Sequence, residues 1–367
     1  MDEIAVTGVG VVSAWGDEPG VAAAHRGLPS DGREWFDHRV RLGARGYKYL
    51  PAAAQYVLAA ARAAVADGAW ADAVPADRRG LLLATNAGLA GVYDAMDATV
   101  AERGADGISP ALAPYFAVNV LGNRLAAELS LHGFALTVAT ARTAALDALS
   151  TGASALATGR CGALLLAATE EPVPAPRGGG GEQGAAVLAL EPLTSARARG
   201  AAVHATLRAR SVFLPPGALA RPEGRERAAR VLDRVLEELI PGARVHEGAS
   251  AVAGEAPGVS GGAGRVPGGP VSPALSVHRD LDTSPVSEAV AGALAGVRTR
   301  MGAEQDELPL RRTGCLGPAL ALAHAVTARD GGERLVVSAT GAGQVAFVRV
   351  SPVQDRLTQE LQHAEVA

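Results

Sequence analysis

The sequence predicts an α/β protein of two halves on a duplicated βαβ plan, and three observations carry that expectation. Short apolar runs read as strands buried on both faces, residues 4–12, which end in a glycine turn, and residues 80–85. Alanine-rich stretches of helical length, such as 52–66 and 144–158, follow those runs. The helix expected over 144–158 also has a counterpart over 318–329, and each follows a turn and precedes a strand pair. That repetition favours duplicated halves over a doubly wound nucleotide-binding sheet. At 367 residues the chain can bury a large core, as one big domain or two fused halves.

Composition excludes several classes. A net charge of −4 leaves no electrostatic footprint for nucleic acid. Lys48 is the only lysine, so arginine carries nearly all the positive charge, a coding bias rather than a phosphate-reading device. The two cysteines, Cys161 and Cys315, form no CxxC pair, which fits a reducing cytoplasm and excludes a disulfide framework or a cysteine-rich zinc site. No metal and no cofactor are expected. The first residues lead directly into a strand, without the basic region and cleavage site of a secretory leader. Residues 153–169 come nearest to a membrane span, but Arg160 and Gly162 interrupt them.

Taken in order, residues 4–12 read as a buried strand. Its Gly8 and Gly10 lack the third glycine and following helix of a dinucleotide loop. A helix over 52–66 and a strand over 80–85 follow. Residues 86–103 read as a loop and helix on which Leu89, Val92 and Met96 fall at i, i+3 and i+7, one face. That face is either ordinary core or the wall of a tunnel. Pro114-Tyr-Phe-Ala-Val-Asn119 precedes a helix over 121–131. Strands are expected over 163–168 and 182–188, separated by a Pro/Gly loop at 172–181. The second half gives a strand over 203–210 and a helix over 223–239 with Val231, Leu232, Val235, Leu236 and Leu239 available for the core. Residues 248–273, dense in Gly, Pro, Ser and Ala, read as a mobile surface insertion. A strand over 274–278, helices over 287–300 and 313–329, and strands over 334–339 and 344–350 complete the chain. The expected organisation is therefore 1–200, 201–352 and a tail at 353–367.

The chain is organised around residues 136–149. Thr137, Val138, Ala139 and Thr140 start as a strand, and an alanine- and leucine-rich helix follows. A strand turning sharply into a helix places one residue at the helix N-terminus, where free N–H groups and the dipole favour negative charge. Enzymes hold thiolate or alkoxide nucleophiles at such turns. This chain puts Arg142 there, a permanent cation that the dipole opposes.

The segment Thr140-Ala-Arg-Thr-Ala-Ala-Leu-Asp-Ala-Leu149 resembles the nucleophile elbow of the β-ketoacyl synthases, usually Thr-Ala-Cys-Ser-Ser-Gly-Leu-Asp-Ala-Leu, with arginine in place of cysteine. Thr7-Gly-Val-Gly-Val-Val-Ser13 resembles their opening strand, Glu182-Gln-Gly-Ala their Gly-Glu-Gly-Ala strand, and Arg199-Gly-Ala their Arg-Gly-Ala. Thr169-Glu-Glu171 sits where they have Gly-Gly-x-Glu. Residues 114–119 resemble the Phe-Tyr-Ala-Val-Asn segment of chain length factors, the partner subunits of type II polyketide ketosynthases. The resemblance is strong over 4–15 and 110–205, fair over 285–350, and poor over 17–75 and 240–275. It implies a thiolase-like fold, duplicated βαβ halves in a five-layered αβαβα arrangement.

Condensation on a carrier-protein thioester needs a thiolate to accept the acyl chain and two histidines to stabilise the enolate and thioester oxygen. The family's Gly-His reads Gly314-Cys315, and its His-Gly-Thr-Gly-Thr segment has no clean match. His278, ahead of Glu288, is the nearer candidate and His246 the weaker one. The Gly-Phe-Gly-Gly gating loop appears as Thr340-Gly-Ala-Gly343 without its phenylalanine. Arg142, His278 and Cys315 are thus degenerate catalytic positions. The resemblance implies a non-catalytic chain length factor that pairs with a catalytic ketosynthase as a heterodimer or a dimer of heterodimers and works with an acyl carrier protein.

The arginine, where aromatic systems usually have glutamine, and the trimmed loops leave the product class open between aromatic and reduced polyene and suggest a divergent branch, such as the subunits paired with polyene-forming ketosynthases. By the resemblance, Leu89, Val92, Met96, Tyr115 and Phe116 line the product tunnel. The resemblance makes Leu136, Thr137, Val138, Ala139, Thr140 and Ala141 the interface strand, and because a buried guanidinium must be paired, Glu170 and Glu171 are the candidate partners of Arg142. The alternatives are a ketosynthase-like malonyl-carrier decarboxylase, an acyltransferase or hydrolase using Cys161 or Cys315, and a self-sufficient binding protein. Cys315 opens a helix, which would lower its pKa, but no histidine lies near it in sequence.

Overall fold

The computed structural model describes residues 3–24, 35–70, 73–174, 181–242, 275–301, 304–307 and 314–353. The first half contains β1 (Ile4–Ser13), α1 (Pro19–Ala24), α2 (His38–Arg41), α3 (Ala52–Asp67), β2 (Arg79–Ala84), α4 (Ala90–Arg103), α5 (Val120–Leu129), β3 (Ala135–Val138), α6 (Ala144–Ala157), β4 (Ala163–Glu170), β5 (Gly184–Pro192) and α7 (Leu193–Ala198). The second contains β6 (Ala205–Phe213), α8 (Pro222–Leu239), β7 (Leu275–Leu281), α9 (Pro285–Met301), β8 (Glu304–Glu307), α10 (Leu316–Thr327), β9 (Glu333–Ala339) and β10 (Gln344–Pro352). Residues 248–273, His246 and most of the tail lie outside the described residues.

Among the described residues ten strands form one sheet in the order β3-β2-β4-β5-β1-β6-β10-β9-β7-β8. The order reads the same from both ends once each half is numbered by itself. In each half three strands run parallel, β3-β2-β4 and β8-β7-β9, and the remaining pairings are antiparallel. The halves join through a short antiparallel contact of β1 with β6, Ile4 opposite Leu207. This is the duplicated plan that the repeated turn–helix–strand order implies.

Three apolar clusters give the layers. One packs α6 and α10 between the inner faces of both half-sheets, with Leu146, Leu149, Leu320 and Leu322 at its centre. A second buries α3 and α5 on the outer face of the first half, and a third buries α8 and α9 on the outer face of the second. The result is five layers, αβαβα. Leu232, Leu236 and Leu239 face inward on α8 as their spacing predicts. A fully buried leucine contributes about 1.5–3 kcal/mol relative to exposure, so burial of these stripes is what holds the outer helices on.

Two glycine positions explain close packing. A Cβ on Gly8 would lie 2.1 Å from the Ala64 carbonyl oxygen, and one on Gly10 would lie 2.0 Å from that of Ala60. The Gly-x-Gly of β1 therefore lets the backbone of α3 lie directly on the strand. Gly152 does the same for α6, where a Cβ would come 2.5 Å from Leu164 and 2.6 Å from Leu82.

Several expected boundaries move. The strand expected at 136–141 is β3, ending at Val138, because the chain must leave the extended region to enter the elbow. The strand expected at 203–210 is β6, extended to Phe213 by its pairing with β10. Leu89 is the N-cap residue of α4 rather than part of its first turn.

Candidate functional site

The elbow is built by residues that leave β3 and enter α6 within five positions. Residues Ala141–Thr143 form a single 3-10 turn, and Ala141 takes a left-handed backbone at φ 48°. A non-glycine residue there costs about 1–2 kcal/mol, so the surroundings must hold it. Asp147, in the first turn of α6, does so by accepting hydrogen bonds from the Thr140 and Thr143 hydroxyls, both at 2.8 Å. The Thr140 carbonyl lies 2.9 Å from the same Thr143 hydroxyl and is an alternative acceptor for its single proton. Asp147 adds the negative charge that a helix N-terminus favours.

Arg142 does not pair with Glu170 or Glu171. Its Nη1 donates to Asp280 Oδ1 at 2.7 Å, with side chains 13% and 5% exposed. Asp280 lies on β7 in the other half, opposite Ser338 of β9, whose hydroxyl donates to Oδ2 at 3.3 Å. Burial pushes the Asp280 carboxyl above its ordinary range, while the guanidinium and the Ser338 hydroxyl pull it back. The expected carboxylates are committed elsewhere. Glu170 accepts the N–H groups of Asn86 at 2.9 Å, Ala87 at 2.6 Å and Cys315 at 3.0 Å. Glu171 accepts that of Gly91 at 2.8 Å.

His278 is on the same strand, two residues before Asp280 and so on the same face. It is buried, and its ring meets that of His324 on α10 edge-on, centroids 6.2 Å apart. Cys315 is the N-cap residue of α10 and is fully buried. Its thiol is pushed up, not down: burial dominates, and the Glu170 and Glu182 carboxylates add to it. Glu182 caps the same helix, accepting from Leu316 and Gly317 at 2.8 Å each. The expectation that the helix start lowers this pKa fails chiefly because the thiol is fully buried, and the two carboxylates at the helix start add to the rise. Cys161 is likewise raised by burial.

The expected tunnel residues divide. Leu89, Val92 and Tyr115 join the outer cluster with α3 and α5, and Met96 is buried on α4. Tyr115 and Phe116 sit on a 3-10 segment, Pro110–Phe116, with Phe116 64% exposed. Two cavities among the described residues lie elsewhere. One of about 540 Å³ opens between α8 and α9, and one of about 280 Å³ lies beside β6 and Glu238. The expected interface residues follow β3 to the elbow, and Leu136 is 39% exposed. No group of three metal-ligating side chains occurs among the described residues, and no described helix is long and apolar enough to cross a membrane.

Sequence reasoning missed Asp280 and Glu182. Strand alternation from His278 was the available signal for the first, and a carboxylate ahead of the glycine strand for the second.

Residues 17–202, half of the chain, match the family model of the beta-ketoacyl synthase N-terminal domain. The chain belongs to the beta-ketoacyl synthase family. No curated protein matches the sequence. Solved structures share the fold across nearly the whole chain. A type II polyketide ketosynthase bound to a hexaketide, in complex with its acyl-carrier protein, aligns at TM-score 0.69 and 15% identity over 96% of this chain and 99% of its own. The ishigamide ketosynthase/chain length factor aligns at 0.67 and 18% over 96% and 99%. A beta-ketoacyl synthase from Burkholderia phymatum aligns at 0.64 and 15% over 96% and 100%. In this beta-ketoacyl synthase family member, then, a cation tied across the two halves stands at the elbow.

Proposed function

We propose that this chain is a non-catalytic chain length factor of a type II polyketide synthase. It pairs with a catalytic ketosynthase, receives the chain grown on an acyl carrier protein, and shapes the tunnel that sets product length. The observation that carries the reading is Arg142 at the elbow, fastened to Asp280 at 2.7 Å. A guanidinium is no nucleophile, so the elbow position offers no group that could take an acyl chain from a carrier. The raised Cys315 thiol supports the same reading, because a nucleophile needs its thiolate.

The mirrored sheet supports dividing the chain into halves at 1–200 and 201–352. Arginine in place of the usual glutamine supports a polyene-forming system. Leu89 and Val92, packed among α3, α5 and Tyr115, are proposed as the wall at the tunnel end, with Met96 one turn beyond Val92.

The test is reconstitution with the catalytic ketosynthase and carrier protein, read by mass spectrometry of carrier-bound products. Val92→Phe and Leu89→Trp should shorten the product, since packed walls do not absorb an aromatic ring. Met96→Ala should lengthen it or broaden its distribution. Condensation by this chain alone sinks the reading, and so does an unchanged length distribution in all three variants.

A further inference from the structure

The carboxylates at the end of β4 have no part in that reading. Glu170 is the last residue of β4 and Glu171 the next, and their hydrogen bonds take them to opposite faces of the sheet. Glu170 turns to the central layer and the start of α10. Glu171 turns to the outer layer, where its Oε1 accepts the Gly91 N–H in the first turn of α4 at 2.8 Å. The N–H of Ala53, in the first turn of α3, reaches the same carboxylate.

Neither helix caps itself. Pro51 and Leu89 are the N-cap residues, neither supplies a side-chain hydrogen bond, and neither first turn holds an acidic residue. One buried carboxylate therefore serves the orphan donors and positive ends of two helices. The titratable groups facing it are Glu170 from its own strand and the Tyr56 phenol from α3. Burial raises the Glu171 carboxyl to about 7, the Gly91 and Ala53 N–H groups oppose that, and Glu170 adds to it.

The helix held this way is the one that carries Val92 and Met96, with Leu89 at its cap. We propose that Glu171 is the positioning residue of the length-setting wall, a clamp joining the starts of α3 and α4 that sets how deep Leu89 and Val92 stand. The proposal rests on the reading of α4 as that wall. An ionised carboxylate offers both oxygens to the two helix ends, whereas its protonated form turns one of them into a hydroxyl.

Two variants test it in the complex with the catalytic subunit. Glu171→Gln keeps one carbonyl acceptor and points an amide NH₂ at the other helix end. Gly91→Ala retains the carboxylate but places a Cβ 3.2 Å from its Oε1, crowding the clamp. Hydrogen exchange, corrected for intrinsic rates, should speed about tenfold at Ala53 or Gly91 in the glutamine variant, the loss of one hydrogen bond to a charged group. Both variants should shift or broaden the product length distribution. The wild-type distribution should change between pH 6 and 8 (about one unit either side of the midpoint at about 7) and stay flat in Glu171→Gln. Unchanged exchange overturns the clamp, and faster exchange with wild-type product lengths overturns its role in the wall. A wild-type pair that makes no polyketide overturns the chain length reading and the wall with it, while exchange at Ala53 and Gly91 still decides whether the clamp exists.

Discussion

At the scale of residues, the elbow turns on one ion pair. Arg142 and Asp280 are too buried for water to screen them well, so neither charge is tolerable without a partner. Asp280→Asn should destabilise the fold by about 3–5 kcal/mol, the range for stranding one charge of a buried pair. The double variant Arg142→Met, Asp280→Leu removes both desolvation penalties and should recover most of the loss. Urea denaturation of Arg142→Met, Asp280→Leu and the double variant measures this, and a double variant no better than the sum of those two shows that the two residues do not act as a pair. The cation was legible in the sequence because the elbow motif frames it. Its partner was not, since Asp280 lies 138 residues away and reaches Arg142 only when β7 of the second half is brought up to the elbow. Glu170 and Glu171 looked nearer, but backbone N–H groups had already taken them.

At the scale of elements, the glycines of β1 show what sequence pattern does and does not reveal. Gly8 and Gly10 read correctly as something other than a dinucleotide loop, and the closing partner, the backbone of α3, is a tertiary fact no local pattern encodes. Gly10→Ala should cost about 1–3 kcal/mol, toward the upper end, because the Cβ would meet a carbonyl oxygen rather than a flexible side chain. Gly292→Ala is the control: it lies within α9, its Cβ would meet nothing within 4 Å, and it should stabilise by about 0.5–1 kcal/mol. Thermal unfolding of the two variants separates close approach from helix propensity. Equal effects from both would mean that α3 does not rest on β1 as closely as this. The long helices and buried strands were legible from their periods, whereas the short α1, α2, α7 and β8 were not, having too few residues to show one. Their ends moved where pairing or the elbow decided them, as β6 and β3 show.

At the scale of the whole molecule, duplication leaves the sheet with two ends, and β3 is one of them. Among the described residues only β2 pairs with it. The carbonyls of Phe134 and Val138 accept from Leu81 and Thr85, so the backbone groups of 134, 136 and 138 face β2. Those of Ala135 and Thr137 therefore face the open edge, next to the half-exposed Leu136. An open apolar edge is a template for another chain. If the catalytic subunit supplies the matching strand, this chain should self-associate when made alone and form a defined heterodimer when co-expressed. Thr137→Pro removes one N–H from the open edge and none from the β2 ladder, so it should abolish the heterodimer while Thr137→Val leaves it intact. Light scattering of the co-purified complexes reads this directly. A wild-type chain that stays a stable monomer at micromolar concentration, or a proline variant that still pairs, would place the interface on some other surface and leave β3 as an ordinary sheet edge.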